Sequence, residues 1–269
     1  MRASSIDIHP NATWSTNGIT VAGGNGWDSK TNQPWLPWDL YVDDDQTIYV
    51  VETANTRIVE WKFSATNGKV VAGENKAHQL KWPRDVIIDK ENDSLIISDW
   101  ENKRVVRWSR RNGTRGETII SNISCIVVAG GNGKGNRLDQ LDYPRYVFID
   151  RDHSVYLSEY ENRRVMKWEK GAKQGIVVAG GQGQSLIELN KPEGVVVDQL
   201  GTVYVTDYGN HRIMRWPKGA TQGSVIIDGN GYGAQSNQLN GPVGLSFDRH
   251  GNLCVAEFGN DRVQKFNIE

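Results

Sequence analysis

Apolar residues along this chain fall in short runs closed by Gly, Asn or Asp, and no stretch repeats at the 3.6-residue helical period. Segments such as "TVYVTD" (202–207), rich in β-branched and aromatic residues and bounded by turn residues, read as strands. The runs recur as a unit. Each copy opens on a proline, Pro37, Pro83, Pro144, Pro192 and Pro242, at intervals of 46, 61, 48 and 50 residues. After it come an apolar run ending in Asp ("PEGVVVD", 192–198), a turn, a second strand, a basic third strand ("NHRIMRW", 210–216) and a fourth such as "GSVIIDGNG" (223–231). Four short antiparallel strands repeated at this spacing predict an all-β fold, a β-propeller of four-stranded blades.

The ends of the chain supply the closure. The last copy stops at "VQKFNIE" (263–269) and lacks its fourth strand, whereas "GITVAGGNG" (18–26) matches the fourth strand "GIVVAGGQG" (175–183). An N-terminal strand completing the last blade protects a sheet edge and ties both termini down. The expectation is five blades over residues 18–269 as one domain, with 1–17 as an extension; six blades is the alternative. The 61-residue interval breaks the pattern, because "GETIISN" (116–122) and "CIVVAGGNG" (125–133) both resemble fourth strands. The extra one is read as the remnant of a lost sixth blade or as an added rim strand.

The third strand carries a sharper signature. "DYGNHRIMRW" (207–216) recurs as "ETANTRIVEW" (52–61), "DWENKRVVRW" (99–108), "EYENRRVMKW" (159–168) and "EFGNDRVQKF" (257–266). This D-x-x-N-x-R-[IV] pattern resembles the NHL-repeat family of β-propellers over residues 18–268, with Glu for Asp at 52, 159 and 257 and only one copy keeping the His. The resemblance implies a propeller, more often six-bladed in the family. It leaves function open, since the family holds protein- and RNA-binding scaffolds, extracellular sensors and a metal-dependent amidating lyase. A feature present in every copy is architecture. Asn55/Arg57, Asn102/Arg104, Asn162/Arg164, Asn210/Arg212 and Asn260/Arg262 are therefore expected to brace turns, with Arg forking onto a carboxylate or onto a neighbouring blade's carbonyls. Trp61, Trp108, Trp168, Trp216 and Phe266 are expected to pack between blades.

Composition narrows the field little. Glycine is abundant (29 of 269 residues), and net charge is −1, which supplies no general pull toward nucleic acid or anionic membrane. No apolar run is long enough to span a bilayer, and the first residues lack the apolar region of a signal peptide. The compartment is unknown. Four N-x-S/T sequons (Asn11, Asn92, Asn112, Asn122) tilt it slightly toward the outside of the cell. Cys125 and Cys254 fall in non-neighbouring blades and are expected as free thiols. Neither the scattered histidines (His9, His78, His153, His211, His250) nor "DDD" (43–45) has metal-ligand spacing, and "DDD" reads as a solvated turn. "GGNGKGN" (130–136) opens no helix, so it is a turn rather than a phosphate cradle.

Function is expected where the copies differ, in the loops of one face. The residue after each proline is Trp38, Arg84, Arg145, Glu193 or Val243, and the next is Asp39, Asp85, Tyr146, Gly194 or Gly244. Trp27, Trp35, Trp38, Trp82 and Trp100 all lie in such loops of the first two blades. Trp, Tyr and Arg dominate binding hot spots. The expected site is a top-face surface around the channel mouth. There Trp38, Trp82, Trp100, Tyr143, Tyr146 and Tyr160 give stacking area, Arg84 and Arg145 pair a carboxylate, and Asp39, Asp85 and Glu193 orient it. The expected role is a monomeric, non-enzymatic scaffold for a peptide, protein or glycan, with no cofactor and no catalytic residue assigned. The alternatives are a metal-dependent lyase or hydrolase using the channel, and a propeller that binds single-stranded RNA.

Overall fold

The computed structural model describes residues 6–73, 79–110, 116–121, 128–181, 188–228 and 230–269. It is an all-β propeller of five blades, each a four-stranded antiparallel sheet. Among the described residues the only helical piece is a 3-10 turn at Tyr208–Asn210. The inner strands are β2 (Pro37–Val42), β6 (Pro83–Asp89), β10 (Pro144–Ile149), β14 (Pro192–Val197) and β18 (Pro242–Phe247), each starting on the proline that opens its repeat. Blade five continues through β19 (Leu253–Glu257) and β20 (Arg262–Phe266). Its outer place is filled by β1 (Ile19–Gly23), which pairs antiparallel with β20.

The repeated motif is a clamp. In each blade the acid ending the second strand accepts from Asn and Arg of the next turn: Glu52 takes Asn55 Nδ2 at 2.6 Å and Arg57 Nε at 2.8 Å, and Asp207 takes Asn210 at 2.9 Å and Arg212 at 2.7 Å. Glu159 takes Asn162 (2.7 Å) and the Nε of Arg164 in the same way.

The partners of the guanidinium divide the expectation. Arg57, Arg164 and Arg262, buried at 6–7% exposure, do meet a carboxylate, that of their own blade, but among the described residues they are not bonded to a neighbouring blade's carbonyls. Their remaining N–H groups donate to carbonyls of the loop that leads into the same blade. Arg57 reaches Ser29 (2.7 Å) and Lys30 (2.9 Å), Arg164 reaches Asn136 (2.7 Å) and Arg137 (3.1 Å), and Arg262 reaches Ala234 (2.7 Å) and Gln235 (3.0 Å). The physical reason is reach: the incoming loop folds back over the clamp and brings carbonyls that need donors once they leave water. The residue between Asn and Arg is left-handed in all five copies (Thr56, Lys103, Arg163, His211 and Asp261, φ 50–55°). That conformation disfavours β-branched residues, yet Thr56 holds it under the clamp.

The blade aromatics are buried as expected, Trp61, Trp108, Trp216 and Phe266 in clusters that join blades, and each also meets a glycine of its own blade. A Cβ on Gly68, Gly116, Gly175 or Gly223 would lie 2.4–2.9 Å from Trp61, Trp108, Trp168 or Trp216, and one on Gly18 would lie 2.8 Å from Phe266. Each ring therefore lies against the bare glycine that starts its own blade's outer strand. The Gly18–Phe266 pair repeats this fit at the closure, which shows that the N-terminal strand is a true fourth strand of blade five. Asp43 is not solvated: it is buried and accepts from Thr47 N (2.8 Å) and Asp45 N (2.9 Å), and Asp150, Asp198 and Asp248 hold equivalent turns.

Residues 6–17 are not a loose extension. Ile8 and Trp14 are buried, the Trp14 ring meets Tyr204 edge-on at 6.0 Å, and Trp14 Nε1 donates to Gly251 O at 3.0 Å. The segment straps blades four and five.

One seam differs from the rest. Inner strands pack in the order β10, β14, β18, β2, β6, but β6 and β10 do not pack in the same way. Val147 and Ile149 of β10 are 42% and 38% exposed, whereas the matching Val195 and Val197 are buried. Ser158 and Thr206 donate to carbonyls of the following blade (Glu193 O, 2.6 Å; Val243 O, 2.8 Å), and Ser98, their counterpart in blade two, makes no such bond among the described residues. The open seam coincides with the 61-residue interval. Gly116–Ser121 forms the outer strand of blade two, pairing with Arg104–Ser109. Of the rival segment 125–133, residues 125–127 lie outside the described residues and 128–133 form no strand.

Candidate functional site

The clamp also aims the variable residues. The acid that holds Asn and Arg accepts, with its carboxylate, a backbone N–H two residues before the proline: Lys81 N to Asp99 (2.6 Å), Asp142 N to Glu159 (2.8 Å), Asn190 N to Asp207 (2.6 Å) and Asn240 N to Glu257 (2.9 Å). The next residue is left-handed in every blade (Leu36, Trp82, Tyr143, Lys191 and Gly241, φ 49–57°). The chain then enters the inner strand through a register shift just after the proline. Such bulges bend a strand and re-aim its side chains. Identical scaffolding in five blades thus presents five different residues at the channel mouth.

Arg84 stands among three of the variable tryptophans. Its guanidinium carbon lies 3.8 Å from the Trp38 ring centroid, 5.5 Å from Trp100 and 5.6 Å from Trp82. Trp38 meets Phe258 edge-on at 5.7 Å, while Trp82 and Trp100 are 46% and 61% exposed. A cation over several ring faces is attracted by their quadrupoles. Across the open seam, Arg145 stands 4.7 Å above the Tyr160 ring and 3.7 Å from Glu193 Oε1, and Lys191 approaches the same tyrosine at 5.4 Å. Glu193 is buried, with Oε2 enclosed and lacking a hydrogen-bond partner, as does Nη1 of Arg84. Burial pushes its carboxyl up to about 7, against the opposing pull of Arg145 and Arg84. Burial also lowers Arg84, with Arg145 adding to it and Glu193 opposing.

A model of the NHL repeat matches residues 189–215 and 239–266, and the other three blades carry the same clamp. The chain is an NHL-repeat β-propeller. No curated protein sequence matches it. Solved structures resemble the propeller at low identity. An auxiliary nutrient binding protein from Bacteroides thetaiotaomicron has 14% identity and TM-score 0.67, over 99% of this chain and 79% of that one. The PQQ-bound aldose sugar dehydrogenase of Streptomyces coelicolor has 12% identity and TM-score 0.64, over 98% and 100%. A luciferin-regenerating enzyme has 12% identity and TM-score 0.61, over 87% and 92%. At such identities the likeness is of fold, and it joins a binding protein to enzymes.

The NHL propeller separates the expected site residues into two groups. Trp38, Trp82, Arg84, Trp100, Arg145, Tyr160 and Glu193 gather at the mouth. Tyr143, 57% exposed, stands on the rim with Lys134 Nζ 5.1 Å from its ring. Asp39 and Tyr146 are corrections to the expected surface, because both are buried, at 0% and 6% exposure, rather than presented on it. A Cβ on Gly244 would lie 2.6 Å from Asp39 Oδ1, so Asp39 fills the space that glycine leaves in blade five. Asp85 is half-buried at the same register. Lys191, Tyr208 and Phe258 stand beside them and are not among the expected site residues, although Tyr208 and Phe258 hold the same post-acid position as Trp100 and Tyr160. Their signal was their place, before the proline and after the repeated acid.

Among the described residues no three His, Cys, Asp or Glu side chains gather as metal ligands, and Asp39 and Asp85 gain no third. His153 and His250 are exposed in turns at the far end of the blades, and His211 Nδ1 accepts from Gly241 N at 3.0 Å. Cys254 is buried and free, its thiol pushed up to about 12 by burial, so it is a packing residue; Cys125 lies outside the described residues. Two cavities of about 620 and 630 Å³ open elsewhere, one at the opposite end of the channel around Ile88, Phe148 and Leu245, the other between blades three and four. Neither gathers convergent chemistry of the kind found at the mouth.

Proposed function

We propose that the NHL propeller is a non-enzymatic recognition module that takes a peptide, protein or glycan segment across its top face. The observation that carries this reading is the Arg84 cluster. Two large rings, Trp82 and Trp100, are left in water beside a half-buried cation that already stacks on a third ring. A fold that needed these rings for its core would have covered them; exposed aromatics beside arginine are what interfaces are built from. The clamp explains how such residues are held without a core of their own.

The double variant Arg84→Ala/Trp100→Ala is expected to lose ligand signals on peptide and glycan arrays that wild type shows, with a melting temperature within about 3 °C of wild type. A variant that melts far below wild type would show that the rings are packing. Unchanged array signals would end the proposal.

A further inference from the structure

The residues after the five prolines form a ring in the order Trp38, Arg84, Arg145, Glu193 and Val243. Its charges are uneven. Arg145 disfavours the charge of Arg84, and Lys191 stands near Arg145 on the Tyr160 ring. One carboxylate, Glu193, sits beneath the two arginines at 3% exposure, with Arg145 Nε 3.7 Å away. A buried carboxylate normally gathers hydrogen bonds to offset lost hydration. Glu193 Oε2 has none, and Nη1 of Arg84 has none either. The groups that act on it or face it are Arg84, Arg145, Lys191, Tyr160 and Tyr208. Burial dominates that contest, so its carboxyl titrates near neutrality. A third of the Arg145 side chain is open to solvent, and the exposed rings of Trp82 and Trp100 flank Arg84.

We propose that the mouth binds a carboxylate on a flat frame, its anion seated on Arg84 and Arg145 and its frame against Trp82 and Trp100, with Glu193 beneath setting the affinity by its protonation. The inference rests on the top-face reading above and names the chemistry of its ligand. An ionised Glu193 partly neutralises the two arginines and repels an incoming anion. A protonated Glu193 leaves both guanidiniums without a counter-charge, which the ligand then supplies. Binding therefore takes up a proton, and affinity rises as pH falls through the Glu193 titration. Glu193 is a positioning residue here; it touches Arg145 and acts on Arg84 through its charge, and does not touch the ligand.

Such a carboxylate occurs on acid sugars and on aromatic acids, so the test uses both with neutral twins: galacturonate against galactose, and benzoate against benzamide. Tryptophan fluorescence and calorimetry at pH 6 and pH 8 read the affinities. The expected result is that at least one acid binds and its twin does not, and that Kd rises about tenfold from pH 6 to pH 8 as the protonated fraction falls. Glu193→Gln should bind at pH 8 as wild type does at pH 6, and Glu193→Asp should retain a pH slope. Both variants are checked for an unchanged melting temperature. A slope that survives in Glu193→Gln, or no binding by any of the four probes, overturns the proposal. Neutral twins that bind as well as the acids, with the signal lost in Trp100→Ala, also overturn it while leaving the top-face reading standing; the array comparison decides that reading separately.

Discussion

Trp216→Ala is expected to destabilise the propeller by about 3–5 kcal/mol, the range for removing a large buried aromatic. Its ring is 3% exposed, and Gly223 lies so close that an added Cβ would sit 2.4 Å from it. Alanine would leave a cavity on a backbone pinned by the sheet, so little of the space could collapse. Equilibrium denaturation reads the loss as a lower midpoint at unchanged slope. Trp100→Ala is the control, because the same residue type at 61% exposure should cost under about 1 kcal/mol. Equal losses at the two sites would overturn the division between repeated, packed tryptophans and variable, exposed ones.

Arg262→Met is the second large effect. The Arg262 and Glu257 side chains are 7% and 0% exposed, and they meet at 2.6 Å. Removing the guanidinium takes the counter-charge from a buried carboxylate that Asn260, Gln264 and the Asn240 N–H still donate to. It also strips the arginine donors from the incoming loop, leaving the Ala234 and Gln235 carbonyls unpaired while Gln238 O keeps Gln264 Nε2. Breaking a buried pair from one side costs about 3–5 kcal/mol. The loss should grow with pH. Burial raises Glu257 even with its partners present, and without Arg262 it rises further, so folding favours the protonated acid. That favour is full below the ordinary carboxylate range and fades as pH climbs through the raised value, leaving the variant weakest at high pH. Adding Glu257→Gln should recover part of the loss and flatten the pH dependence, while the unpaired carbonyls keep the rest. A single variant within about 1 kcal/mol of wild type would remove the clamp from the account of stability.

Repetition made the fold legible. Five prolines, five acid–Asn–Arg sets and five aromatics cannot recur at one register unless each serves the same local geometry, so strand order could be read from the repeat and the closure from residues 18–26 and 257–266, with five blades expected over six. The same logic marked Trp38, Arg84, Arg145 and Glu193 as the places where copies differ. Sequence determined which positions vary, because spacing along the chain fixes register within a blade. It did not determine where those side chains go. Asp39 and Glu193 both lie near the start of an inner strand, yet one plugs the space above Gly244 while the other sits under two arginines. Nor did it show that Arg57, Arg164 and Arg262 bury their forks in their own incoming loops, that the aromatics lie against their own blade's glycines, or that Trp14 belongs to the core. The gap between β6 and β10, which brings Arg84 and Arg145 to face one another across a seam, was present in sequence only as an interval too long by about a strand. Local spacing encodes what a blade is; burial, charge and access arise between blades, where residues distant in sequence share one volume, and only the tertiary structure decided them.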